Sequence, residues 1–261
     1  LDVDAVEAAI TDKTKAVIGV HIYGQPYDPR LLELCRDRGI YLIEDAAQAH
    51  GASQVMLDGS ELVAGSMGDL GCFSFFPSKN MAVGGEGGML TATVEELTDA
   101  VSLVVNHGRS PSLESMQLGS NLRMSEVSAA IGTVQLKHLD NWVARRRAIA
   151  QQYNEAFADL TLVTTPKTRP GAKHAWHQYC LTTNYPDQLV NHLDNHGIDA
   201  RRYYSTPCHK QAVFTDHPQH GETLPITDKL SNSLVAIPVM HELSDIEAQR
   251  VIEAVVTFSV N

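Results

Sequence analysis

The chain has 261 residues, 43% of them hydrophobic, and 31 Asp+Glu against 20 Lys+Arg give a net charge of -11. That is enough apolar mass for one large domain or one to two ordinary ones, while the acidic balance argues against nucleic acid and anionic membrane as general partners. The cysteines Cys35, Cys72, Cys180 and Cys208 form no C-x-x-C pair, which fits free thiols in a reducing, cytoplasmic setting, and no apolar run approaches the ~20 residues of a membrane span.

In chain order, AVIGVHIY (16–23) reads as a buried strand. PRLLELCRDRG (29–39) has helical spacing and a glycine stop, and YLIEDA (41–46) is a second strand. Strand, helix, strand argues a parallel α/β sheet. Val55 to Ala64 predicts a surface hairpin turning at Asp58-Gly59. CFSFF (72–76) and GGMLTA (87–92) follow as short strands, then a helix over 94–105. MSEVSAAIGTVQLKHL (124–139) predicts an amphipathic helix capped by Ser125, running on into a long helix over 138–157. The Pro- and Gly-bearing stretch 160–175 reads as a linker. A strand at 176–183, a helix near 187–196, a strand near 199–203 and a closing helix over 244–257 predict a small α+β domain. The division expected is a large domain over 1–158 and a small one over 159–261.

Chemistry gathers in two stretches. In IEDAAQAHGA (43–52), Asp45 stands where a buried strand runs out, the end at which open α/β sheets bind ligands. A carboxylate there can pair with a heterocyclic nitrogen, although a helix cap would use the same residue. Gln48 can reach the same face, and His50 reads as structural. In GDLGCFSFFPSKNMAVGGEGGM (68–89), Lys79 follows a core strand. Desolvation there lowers a lysine's pKa and makes the neutral amine a nucleophile towards an aldehyde. Ser74 offers a hydroxyl to a phosphate, and glycines 84, 85, 87 and 88 permit close backbone approach.

VHIYGQPYDP, LIEDAAQAHGA, GDLGCFSFFPSKN, GGEGGM, NHGRS and SNLRMSEVSAAIGTVQL follow one another in order, and HAWHQYCL, YYSTPCHKQAVF and IPVMHELSDIEAQRVIEAV continue the pattern. Together they resemble the DegT/StrS-type nucleotide-sugar aminotransferases, within the fold type I, aspartate-aminotransferase-like enzymes. The resemblance implies a pyridoxal-phosphate (PLP) large domain with a mainly parallel sheet and a small α+β C-terminal domain. It implies Lys79 as the Schiff-base lysine that also carries protons, Asp45 at the pyridine nitrogen, Gln48 at the ring and Ser74 at the phosphate. Asn121 would bind the phosphate held by the neighbouring subunit of a homodimer, with Arg123 a weaker candidate. The implied reaction moves an amino group from an amino acid, glutamate foremost, to the keto group of a nucleotide-linked deoxysugar, as in polysaccharide biosynthesis. The family's first hundred or so residues have no counterpart here and residue 1 is Leu, so an N-terminally truncated copy is expected.

Two alternatives stand beside that reading. A PLP sugar dehydratase of the same family carries His in place of the lysine, and a catalytically silent sensor or structural dimer would have no need of Lys79. No metal site is expected, since the twelve histidines show no H-E-x-x-H or Cys/His array. His177 and His209 read as structural, and Arg145, Arg146 and Arg147 as a solvated helix face. Arg201 and Arg202 are candidates for a substrate phosphate or carboxylate.

Overall fold

The computed structural model describes residues 1–260. They form two compact units, residues 1–144 with 168–177, and residues 145–167 with 178 onward. The division expected after residue 158 differs from this grouping. The long helix is shared between the units, and so is the stretch read as a linker, whose residues from 168 belong to the first unit and pair there with a strand.

The first unit opens with α1 (Val3–Ala9), capped by Asp2, whose Oδ1 accepts from the Ala5 amide at 3.1 Å. Strand β1 (Ala16–Val20) ends in a tight turn at 22–24, with Tyr23 at φ 59. Helix α2 (Arg30–Arg38) stops at Gly39, whose φ of 62 suits a residue without Cβ. After β2 (Tyr41–Asp45) comes the expected hairpin, β3 (Ser53–Val55) and β4 (Glu61–Val63), with Gly59 at φ 85. Then come β5 (Leu70–Ser74), β6 (Gly88–Ala92) and α3 (Glu95–Val105). Helix α4 (Glu126–Leu136) is capped by Ser125 as expected, yet buries only Gly132. It does not run on: the chain turns at Lys137 and His138 before α5 (Leu139–Ala156).

The main sheet has the order β1-β2-β5-β6, parallel except for β6. Register sets its two faces, because paired residues in a sheet point the same way. One row is Gly19, Glu44, Gly71 and Thr91, and the next is Val20, Asp45, Cys72 and Leu90. Leu31, Leu32 and Cys35 of α2 pack with Leu42 and bury the Glu44 face. On the Asp45 face Ile18 and Val20 remain exposed. A second sheet, β4-β3-β7, brings in β7 (Ala172–Lys173), and Lys173 Nζ meets Glu61 at 2.7 Å.

The second unit pairs β8 (Tyr179–Thr182) with β9 (Leu234–Ile237) beside α6 (Pro186–Asn195), α7 (Pro225–Ser233) and α8 (Asp245–Val256). Tyr153, Phe157, Leu181, Leu189 and Leu193 are among its deepest side chains, and Ser244 with Glu247 closes a capping box on α8. The strand expected near 199–203 is reduced to one bridge, Arg201 with Ala236. The solvated face expected of Arg145–Arg147 is corrected at two positions. Arg146 is buried, donates to the Val239 carbonyl, and has its pKa lowered to about 10, by burial first, against the pull of Glu242. Arg145 donates to Asp245 at 2.7 Å and to the Leu243 carbonyl at 2.6 Å. Guanidinium groups on long stems reach carbonyls that no helical-wheel pattern reveals.

Candidate active site

Strand β2 ends in two carboxylates that point to opposite faces of the sheet. Glu44 is fully buried. Its Oε1 accepts from the Met67 and Gly68 amides at 2.7 and 2.8 Å, and its Oε2 from Gly65 N at 2.7 Å and His21 Nε2 at 2.8 Å. The Tyr27 amide donates to His21 Nδ1 at 3.1 Å, so the proton of a neutral ring sits on Nε2 and points at Glu44. Glycines flank Glu44 in the register because the space is taken. A Cβ on Gly19 would lie 2.8 Å from the Tyr27 ring, and one on Gly71 would lie 2.5 Å from the Gly65 carbonyl.

Asp45 is the opposite case. Its Oδ1 accepts from the Ala47 amide at 3.1 Å, and its Oδ2 accepts no hydrogen bond among the described residues. Cys72 is its register partner, and Ser74 lies two residues further along the same face. Burial first, then the charges of Asp45 and Glu44, push the Cys72 thiol pKa up. Lys79 is half-buried in the turn after β5, where its amide donates to the Phe76 carbonyl at 2.9 Å. Burial holds its ammonium pKa below the usual lysine range, and the charge of Asp45 opposes that shift. His50 lies against Phe73 and Phe75, with ring centroids at 5.3 and 5.8 Å. Burial, then the charge of Lys79, lowers its pKa to about 4, while a polar contact with the Ser74 backbone opposes this. Neither ring nitrogen is in hydrogen-bond geometry.

Register thus places Asp45 and Ser74 on one face at the carboxyl ends of β2 and β5, and Lys79, in the turn that follows β5, is near enough to Asp45 to feel its charge. Gln48 sits in the turn after β2, where its Oε1 accepts from the Tyr23 amide at 2.6 Å. The Ser74 hydroxyl oxygen accepts from the Phe76 amide at 3.3 Å. Asn121 is not gathered with them by any hydrogen bond. It bridges Asn106, and its Oδ1 accepts from Arg123 Nε and Nη2 at 3.1 and 3.0 Å, on a wholly exposed stretch over 111–123. Two of the glycines are tightly packed within the chain: a Cβ on Gly87 would meet Val83 at 2.6 Å, and one on Gly88 the Phe73 carbonyl at 2.8 Å. Arg202 is occupied by Asp187 and by the Ser231 and Asn232 carbonyls, and Arg201 pairs with Asp199. A cavity of about 550 Å³ lies at the other end of the strands, lined by Tyr41, Gly68 and Asp69, away from this chemistry. No group of three or more His, Cys, Asp or Glu among the described residues is placed to hold a metal. No described helix is long and apolar enough to cross a membrane.

Sequence reasoning passed over Glu44, His21 and Asn80. The signal for Glu44 was present, an acidic residue facing the covered side of a strand between two register glycines, but it depends on a register the sequence does not display.

PLP fits this donor set. A carboxylate with an open oxygen suits a protonated ring nitrogen, a desolvated amine within its field suits an aldehyde, and a hydroxyl at the neighbouring strand end suits a phosphate oxygen.

The DegT/DnrJ/EryC1/StrS aminotransferase family model matches residues 1–256. The chain is 35% identical over 256 residues to the dTDP-3-amino-3,4,6-trideoxy-alpha-D-glucose transaminase of Streptomyces venezuelae, covering 98% of this chain and 66% of that protein. It is likewise 35% identical over 252 residues to the UDP-N-acetyl-3-dehydro-alpha-D-glucosamine 3-aminotransferase of Acidithiobacillus ferrooxidans, covering 96% and 66%. The crystal structure of S. venezuelae DesV in complex with a ketimine intermediate superposes with a TM-score of 0.91 at 35% identity, covering 98% of this chain and 68% of that one. The chain thus spans about two thirds of the length of the relatives it matches. With a family match over nearly its whole length, the chain belongs to the DegT/DnrJ/EryC1/StrS aminotransferase family.

Proposed function

We propose that this chain carries the core of a PLP-dependent aminotransferase that moves an amino group from an amino acid, glutamate foremost, to the keto carbon of a nucleotide-linked deoxysugar. The observation that carries the reading is Lys79, half-buried, held below the ordinary lysine range by burial, and within the field of the Asp45 carboxylate. When bound, PLP supplies an aldehyde that exchanges amino groups and a ring that accepts electrons. Lys79 Nζ, neutral in a larger fraction of molecules than a surface lysine, would be the amine that condenses with the aldehyde, whose oxygen would leave as water, and the base that would carry the proton at the reacting carbon. Asp45 would hold a proton on the ring nitrogen, Gln48 would flank the ring and Ser74 would hold the phosphate. The substrate class rests on relatives whose names specify dTDP- and UDP-linked sugars.

The reading includes a cytoplasmic homodimer with shared sites, in which Asn121 of one chain serves the phosphate held by the other. Leu113, Leu118, Leu122, Val127 and Val134 leave an apolar strip on either side of Asn121 uncovered, and a second chain would bury it. A dehydratase and a silent sensor are disfavoured by the lysine itself and by its depressed basicity.

The test is borohydride reduction of the PLP-loaded protein followed by peptide mapping. A pyridoxyl group on Lys79 is expected, and one on Lys13, Lys15 or Lys137 instead overturns the assignment. Size-exclusion chromatography with light scattering checks the dimer, and an active monomer overturns that part.

A further inference from the structure

Asp45, Gln48 and Lys79 come from separate segments, and a chain of hydrogen bonds ties all three to one frame. The His21 amide donates to the Asp45 carbonyl at 3.1 Å. Two residues on, the Tyr23 amide donates to Gln48 Oε1 at 2.6 Å. The next residue, Gly24, accepts at its carbonyl from the Ala175 amide at 2.9 Å. Ala175 in turn accepts at its own carbonyl from Asn80 Nδ2 at 2.9 Å, across a sequence separation of 95. The turn at 21–24 is therefore a spine, and Asn80 links that spine to the residue next to Lys79.

The packing leaves this spine little slack. A Cβ on Gly24 would lie 2.9 Å from the Gln48 carbonyl and 3.0 Å from the Trp176 and His177 amides, so three backbone segments meet there. Tyr23 holds φ 59 beside it. Asn80 is 1% exposed, and its Oδ1 has no partner among the described residues. A buried carboxamide with only its donor side used is costly to keep if its sole task is to fill space, because the lone acceptor has lost its water. The residue before it, Lys79, is half-buried, and the three before that, Phe76, Pro77 and Ser78, are exposed. Asn80 is therefore where the Lys79 turn enters the interior.

We propose that Asn80 is a positioning residue whose carboxamide, through the Ala175 carbonyl, fixes Lys79 to the same frame that holds Asp45 and Gln48. The inference rests on the reading of Lys79 as the cofactor lysine. Its consequence is that the Asn80 bond keeps the Lys79 amine desolvated and within the field of the Asp45 carboxylate. Without it the turn relaxes outward and the amine regains water, so its basicity rises towards that of a surface lysine.

The test needs no bound cofactor and no turnover. Trace acetylation across pH, read by mass spectrometry at each lysine, gives the titration of Lys79 with exposed Lys13 and Lys15 as internal references. In the unsubstituted chain Lys79 should titrate below both. Asn80→Leu keeps shape and burial but removes the donor, and should move the Lys79 midpoint up towards the references. Labelling near pH 8 should then fall by about tenfold for each pH unit the midpoint rises. Asn80→Ser, with a donor on a shorter arm, should lie between and guards against a Leu variant that does not fold. Melting curves run alongside, since a merely structural role lowers Tm without moving the Lys79 profile. Lys79 profiles in both folded variants, or in Ser alone if Leu fails to fold, that overlay the parent overturn the proposal. A parent in which Lys79 titrates with Lys13 and Lys15 instead overturns the assignment of Lys79 itself, and this inference with it.

Discussion

Glu44 and Asp45 are neighbours in sequence and opposites in environment. Glu44 faces α2, accepts from three amides and a histidine, and has no exposure. Asp45 faces the less covered side, accepts one amide and keeps an oxygen open beside a desolvated lysine. A carboxylate whose acceptor capacity is filled by its own chain fixes structure. One left with spare capacity at a strand end is available to a ligand. The same strand thus anchors the loop at 64–68 on one face and presents chemistry on the other.

The sharpest way to break the comparison is to substitute each acid by its amide. Asp45→Asn should leave the fold and cofactor binding intact and lower turnover by about two to three orders of magnitude or more, because an amide cannot hold a positive charge on a ring nitrogen. Steady-state rates alongside melting curves decide this, and a loss of only a few-fold with the cofactor seated normally contradicts the role. Glu44→Gln should do the reverse. Each of its oxygens accepts two donors, so whichever becomes NH2 faces two N–H groups with nothing to accept. A cost of about 3–5 kcal/mol in urea unfolding is expected. Unchanged stability would show that the network is not tight.

A smaller effect depends on pH. His50 is buried against Phe73 and Phe75, with its pKa lowered from 6.5 to about 4. The folded state then binds fewer protons than the unfolded state between those values, so the contribution is complete above pH 6.5 and is lost as pH falls towards 4. A lowering of that size corresponds to about 3 kcal/mol as an upper figure. His50→Leu should flatten the acid limb of the stability curve by an amount of that order, and a limb of unchanged slope would place the acid sensitivity elsewhere.

How much of this was legible beforehand follows the range of the interactions. Helix α2 with its Gly39 stop, the β3–β4 hairpin around Gly59 and the Ser125 cap are local patterns, and the structure has them where the sequence puts them. The stretches bearing Asp45 and Lys79 could be singled out because a strand end and a Gly-rich turn are also local signals. Asn80 could not, since its partner is 95 residues away and nothing in SKNM announces it. Arg146 was misread for the same reason, its carbonyl partner lying 93 residues on. The break between α4 and α5 was missed because both flanks have good helical composition, and only the turn at 137–138 separates them.

The smallest test probes the space on the two faces with a single methyl group. On the Glu44 face, the Cβ of Gly19→Ala would stand 2.8 Å from the Tyr27 Cδ1 atom and 3.2 Å from Leu31 Cδ2. Neither can retreat easily, for Tyr27 and Leu31 are buried and the Tyr27 ring stacks on His21 at 4.6 Å. Overpacking of this kind costs about 1–3 kcal/mol. In the loop that follows Lys79, Gly85 is a fair control, since a Cβ there meets nothing within 4 Å and its φ is not in the left-handed region. Gly85→Ala should be neutral or should stabilise by about 0.4–1 kcal/mol, because alanine has less backbone freedom to lose on folding. Urea midpoints of the two variants against the parent give the contrast. Equal destabilisation by both would mean that the Lys79 loop is packed as tightly as the Glu44 face. The division between a closed structural side and an open chemical side would then fail at its most sensitive point.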